Sequence, residues 1–251
     1  MVGLEGMDLH SPLHRSKLLR LLQDWAQVGG EPSRQDVAER LSPWLGAFDA
    51  VKLDGALQQI ESYATQTRVR GQALDADALD AAFQALKAEV ADMATASLFP
   101  PNAASGAAHE AKADYGPSHQ RYLGLQKRME LAVDKLRQQV RQTLSRGSAP
   151  LRQLAALDAV MAQMLGPREQ KLLTTVPVYL ERRFEHRHAC HRQQLAASGL
   201  SDDPGPWRLP GGWLHDFQHD LREMLLAELQ VRLLPILGLI EAVHTENREQ
   251  A

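Results

Sequence analysis

The stretch His119 to Arg146, HQRYLGLQKRMELAVDKLRQQVRQTLSR, decides how the chain reads. After Gly124 it holds no Gly or Pro, and at 1.5 Å per residue it spans roughly 40 Å as a single helix. Tyr122, Gln126, Met129, Val133, Leu136, Val140 and Thr143 recur at alternating steps of four and three. That is the spacing of a heptad seam, with Lys127, Glu130, Asp134, Arg137, Gln138 and Arg141 standing off it. A seam of this length must be covered, by the same chain or by another copy.

A second seam precedes it. Asp77 and Asp80 open a helix whose apolar residues, Leu79, Phe83, Leu86, Val90 and Met93, follow the same alternation. The two seams can pair as antiparallel arms, joined by the segment from Leu98 to Gly116. Pro, Ala, Ser, Gly and Asn dominate that segment without periodicity, the composition of a flexible linker.

Working outward, the N-terminal part reads as a small helical module. Ser11-Pro12 opens a helix carrying Leu18, Leu21, Leu22 and Trp25, which Gly29-Gly30 stops. Ser33 and Asp36 approximate a capping box before Val37, Leu41, Trp44 and Leu45, with Pro43 expected to kink or end that helix. A third helix is expected around Leu53, Leu57, Ile60 and Ala64. Beyond the long seam, Ser148 caps a helix bearing Leu151, Leu154, Leu157, Met161 and Met164, expected to close at Gly166-Pro167. Pro167 is expected to start the next helix, with Leu173, Val176, Leu180 and Phe184 on one side and a bend at Pro177. Leu200 to Gly212 reads as a loop, and Trp213 begins a last helix to about Val243. No strand-like alternation and no repeat of fixed period is present. The expected fold is all-α: an extended helical bundle with antiparallel coiled-coil-like arms. Its expected segments are an N-terminal module over 1–70, an arm over 74–97, a linker over 98–117 and long helices over 118–247.

Composition agrees with helices. Of 251 residues, 44% are hydrophobic but only 5% aromatic, a balance poor in strand formers. The formal net charge of -3, with both signs interspersed, argues against a polyanion or an anionic membrane as partner. One cysteine, Cys190, excludes an intrachain disulfide. Met1 to Leu22 has no apolar core of a secretory signal, so a reducing, cytoplasmic setting is expected. Met224 to Val243 is the most apolar stretch, yet it carries Glu228, Arg232 and Glu241. Such charges each cost roughly 2.5–3.5 kcal/mol near a bilayer centre, so a buried helix is expected over membrane insertion.

No Gly-rich phosphate loop, GxSxG elbow, HExxH pair, CxxC or EF-hand loop occurs, and no small-molecule substrate is evident. The sharpest local feature is His186-Arg-His188-Ala-Cys190-His191. His186 and Cys190 are four apart and His188 and His191 three apart, spacings that allow chelation from one helix face. His215 and His219 form a further pair on the last helix. Should the two helices meet there, the six residues could supply a four-ligand zinc site. The plainer reading makes His188 and His191 the end of the stripe begun by Leu180 and Phe184. Arg182, Arg183, Arg187 and Arg192 could bind phosphate, although no aromatic platform supports nucleic acid. The run Leu225, Leu226, Leu229, Leu233, Leu234, Ile236, Leu237, Leu239, Ile240 goes nearly round its helix and must be covered by the chain or by a partner.

The run Glu31-Pro-Ser-Arg-Gln-Asp-Val-Ala-Glu-Arg-Leu-Ser-Pro-Trp-Leu45, followed by Asp49-Ala-Val and Leu53, resembles a known family. So do Leu154-Ala-Ala-Leu-Asp-Ala-Val160, Leu225-Leu-Ala-Glu-Leu229 and Pro235-Ile-Leu-Gly-Leu-Ile-Glu-Ala242. The family is a set of uncharacterised proteobacterial proteins classed as a domain of unknown function (family 3348). The resemblance covers most of the chain apart from the linker and implies no catalytic residues. It implies genes placed beside those for membrane proteins similar to proton-channel motor subunits and for envelope-anchored partners. A cytosolic accessory or assembly factor of an envelope complex would follow.

The functional expectation is therefore non-enzymatic: binding of another protein, or self-association, through the helical seams. The expected surface comprises Tyr122, Met129, Val133, Leu136, Val140, Leu225, Leu229, Leu233 and Leu237. No cofactor is expected on this reading. The alternatives are a zinc protein built on the histidines and cysteine, and a weak nucleic-acid-binding accessory.

Overall fold

The computed structural model describes residues 16–27, 54–55, 57–58, 60, 74–99 and 114–250. The expected helix around Val37 to Leu45 and most of the expected linker lie outside them. Among the described residues the bounded α-helices are, in order, α1 Lys17–Gln27, α2 Ala76–Leu98, α3 Gly116–Leu144, α4 Ala149–Leu173, α5 Val176–Ser198 and α6 Trp213–Gln250. A short 3-10 turn, Gly205–Arg208, precedes α6. Residues 54, 55, 57, 58 and 60 are helical as well. No strand occurs among the described residues, and the fold is all-α.

The seams are real but differ in period from the expectation. On α3 the buried apolar residues are Tyr122, Leu125, Met129, Val133, Leu136, Val140 and Leu144. Their steps are three, four, four, then again three, four, four: a repeat of eleven residues rather than seven. On α6, Leu221, Arg232 and Val243 are buried at the same interval, as are Gln218, Leu229 and Ile240. Eleven residues in three turns nearly match a straight helix, whereas a heptad stripe drifts by about 20° per repeat and needs a left-handed supercoil. The drift shifts the ends of both predicted seams. Leu144 takes the place expected for Thr143, and on α2 Ala94 takes that of Met93.

Two expected helix boundaries are corrected. Pro167 does not divide α4, which continues to Leu173. A proline inside a helix forfeits one hydrogen bond but need not end it when neighbouring turns hold. The chain turns instead at Thr174-Thr175, whose hydroxyls donate to the carbonyls of Lys171 (2.7 Å) and Leu172 (2.6 Å). Pro177, expected to bend a helix, is the second residue of α5, where its missing N–H would have had no helical partner. Ser148 does cap α4, its hydroxyl accepting from the Leu151 amide at 3.4 Å.

Two compact units share the chain: Met1–Pro32 with Thr95–Tyr122 and Val176–Val231, and Ser33–Ala94 with Leu123–Thr175 and Arg232–Ala251. Neither coincides with one sequential segment, because α2, α3 and α6 each supply residues to both. In the first unit α5 runs antiparallel to α6. Asp220 accepts from Arg183 (2.8 Å) and Arg187 (2.9 Å), and Arg187 also reaches Asp216. Phe184, Phe217 and Trp213 pack there edge to face, a geometry favoured by the ring quadrupoles. Helix α1 joins through Lys17–Glu223 and through Trp25, over whose ring Arg183 sits at 5.5 Å.

In the second unit α3 and α4 are antiparallel: Gln126 reaches the Leu173 carbonyl while Arg137 and Arg141 both bind Asp158. The C-terminal end of α6 is tied to the start of α2. Asp80 and His244 lie 2.6 Å apart, and Asn247 donates to the Leu74 carbonyl at 3.0 Å.

Candidate functional site

The six predicted metal ligands fall into three pairs in the first unit. His186 Nε2 lies 3.5 Å from Cys190 Sγ, one turn apart on α5. His188 and His191 both stack on the Trp213 ring, at 5.1 and 6.0 Å between centroids. His215 and His219 pack against Phe99, at 5.4 and 4.7 Å. His191 is further engaged by Asp202 at 3.0 Å, which also accepts from Trp207 Nε1. Among the described residues no group of three or more His, Cys, Asp or Glu is arranged to hold a metal ion.

The electrostatics follow from these contacts. Burial, helped by the Arg192 charge, lowers the His188 pKa against the opposing pull of Asp202. For Asp202 the desolvation that would raise its pKa is outweighed by the hydrogen bonds from His191 and Trp207, and its carboxyl lies below the ordinary value. Beside this cluster a cleft of about 500 Å³ is lined in part by Arg187, Cys190, His191, Trp207 and Trp213. Its floor depends on Gly212, where a Cβ would stand 2.2 Å from the Pro206 carbonyl oxygen. Of the four arginines considered for phosphate, Arg183 and Arg187 are paired with Asp220 and Asp216, and Arg182 lies over the Tyr179 ring.

The expected interaction surface is interior. Tyr122, Met129, Val133, Leu136, Val140, Leu225, Leu229 and Leu233 are all buried within the single chain, and Leu237 is half-buried. An apolar stripe on a long helix is covered wherever the same chain supplies a facing stripe, and here it does. The large aliphatics left exposed lie off the seams, Leu200 (69%), Leu234 (62%) and Leu131 (58%) foremost.

Leu131 marks a groove in the second unit, of about 280 Å³, where α2 and α3 lie side by side. Val90, Met93 and Ala132 line it with Leu131, and Glu89, Arg128 and Lys135 carry its charges. Reading for seams alone passes over this site. The signal available was a leucine on the polar side of α3, with a cation three residues before it and another four after.

The described structure is thus that of an all-helical protein whose helical seams close within the chain and whose second unit carries an apolar groove with charged edges. The chain belongs to the family described as Protein of unknown function (DUF3348), whose model matches residues 7–245. No curated protein and no solved structure matches it. Among the described residues, no helix is long and apolar enough to cross a membrane.

Proposed function

We propose that the chain works without catalysis, by binding another protein, as an accessory or assembly factor of a larger complex. The observation that supports this is the groove beside Leu131, an apolar recess next to a leucine that the chain itself leaves in water. Covering what remains exposed of that side chain contributes about 1–2 kcal/mol, a gain that a partner can supply. The expected membrane-associated complex, met from the cytoplasmic side, is on this reading the first partner to seek.

A photo-crosslinking residue at position 131, in cells, tests the reading, with the exposed Val178 position of the first unit as control. A protein adduct formed from 131 and not from 178 is expected. Equal labelling from both positions, or no protein adduct from 131, would overturn it.

A further inference from the structure

We infer that the occupant of this groove is an acidic amphipathic helix of another protein, an apolar side chain bracketed by two carboxylates; this rests on the protein-binding reading above. Arg128 and Lys135 stand three before and four after Leu131, so all three share one flank of α3. Among the described residues neither Arg128 nor Lys135 has an ion pair, whereas Arg137 and Arg141 on the inward side of the same helix both bind Asp158. In a chain of net charge -3, two uncommitted cations beside an exposed leucine are a local reversal of sign. The α2 flank opposes them with one acid, Glu89, and otherwise presents the small side chains of Ala78, Ala82 and Ala85, over which a third helix can approach closely.

The spacing sets the partner's pattern. Arg128 and Lys135 are about 10.5 Å apart along the helix axis, so carboxylates seven residues apart on a docked helix meet both. An apolar residue between them falls on Leu131 and Met93, in the manner of helix-in-groove recognition. A second copy of this chain fits less well. A two-fold contact centred on Leu131 repeats the same patch on both sides and brings Arg128 and Lys135 against their own equivalents.

The test uses the full chain and a fluorescent alanine-rich helical peptide carrying E-x-x-L-x-x-x-E, beside a twin with both Glu changed to Lys. Anisotropy should show the acidic peptide binding and the basic one not, with affinity falling as salt rises. The exposed double substitution Arg128→Glu, Lys135→Glu should weaken the acidic peptide by about tenfold or more and admit the basic one. Leu131→Ser should weaken both pairings. Failure of the acidic peptide to bind, or a preference that does not follow the charge swap, overturns the inference. So does binding to phosphatidylserine vesicles without binding to the peptide, or a dimer by light scattering that Leu131→Ser dissolves. A specific adduct from position 131 with no acidic-peptide binding would sink this inference alone and leave the protein-binding reading standing.

Discussion

Tyr122 and Glu228, 106 positions apart in sequence, are both wholly buried and joined by a hydrogen bond from the phenol to the carboxylate. It places a carboxylate inside an apolar core, one turn from the buried Leu225 on the same helix, where an ion without donors would cost several kcal/mol. Tyr122→Phe removes this donor and should destabilise by about 1–3 kcal/mol in chemical denaturation. Adding Glu228→Leu to that variant should recover part of the loss, because the carboxylate then leaves with its donor. Additive losses in the double variant would show that the two residues are not coupled.

Asp158 receives both Arg137 (2.9 and 2.5 Å) and Arg141 (2.6 Å). Burial alone would raise its pKa, but the two guanidiniums outweigh it and hold the carboxyl below its ordinary 3.8. A folded-state pKa below the unfolded one contributes stability that is whole above about pH 4 and drains as pH falls through the folded value. Asp158→Asn should therefore cost about 2 kcal/mol at neutral pH and flatten the melting-temperature profile below pH 4. An unchanged acid limb would count against the pairing.

His188 titrates in the opposite range. Its pKa lies below the ordinary 6.5, with Arg192, Asp202 and His191 facing it and Trp213 stacked on its ring. Protonation thus favours the unfolded chain, so this contribution is complete above pH 6.5 and declines as pH drops below it. Thermal melts at pH 8 and pH 5.5 should differ less in His188→Gln than in the parent. A difference as large as the parent's would assign the effect to another group.

Two glycines should respond with opposite signs. A Cβ on Gly212 would meet the Pro206 and Trp207 carbonyl oxygens at 2.2 and 2.4 Å, backbone atoms that cannot swing aside. Gly212→Ala should unfold or displace the turn that carries Trp207, a loss of about 4 kcal/mol or more, read by melting and tryptophan fluorescence. Gly124 lies in α3 with nothing within 4 Å of the same position. Gly124→Ala should raise stability by about 0.8–1 kcal/mol.

Much of this was legible. Ser148 was readable as a cap, Trp213 as the start of the last helix, and Met129, Val133, Leu136 and Val140 as one apolar stripe. The buried pair Glu228 and Arg232 was readable as evidence against a membrane span. Less legible was where proline stops a helix: Pro167 lies within α4 and Pro177 at the start of α5, because the outcome depends on the packing of adjacent turns. The six histidine and cysteine positions were visible as pairs. Their separation into three contacts, on Trp213, on Phe99 and between His186 and Cys190, depends on rings brought in from elsewhere in the chain.

Helix content and the identity of the core stripes were determined by the sequence alone, because periodic apolar residues without Gly or Pro leave the backbone little else to form. Two matters were decided only in three dimensions. One is the period: a stripe read as seven residues is buried at an interval of eleven, moving burial from Thr143 to Leu144. The other is what remains for a partner. Seams that looked like interfaces are satisfied within the chain, and Leu131, one of the leucines left exposed, lies on the side of α3 that no seam covers. Burial is a property of what faces a residue, and a single helix's pattern carries no record of that.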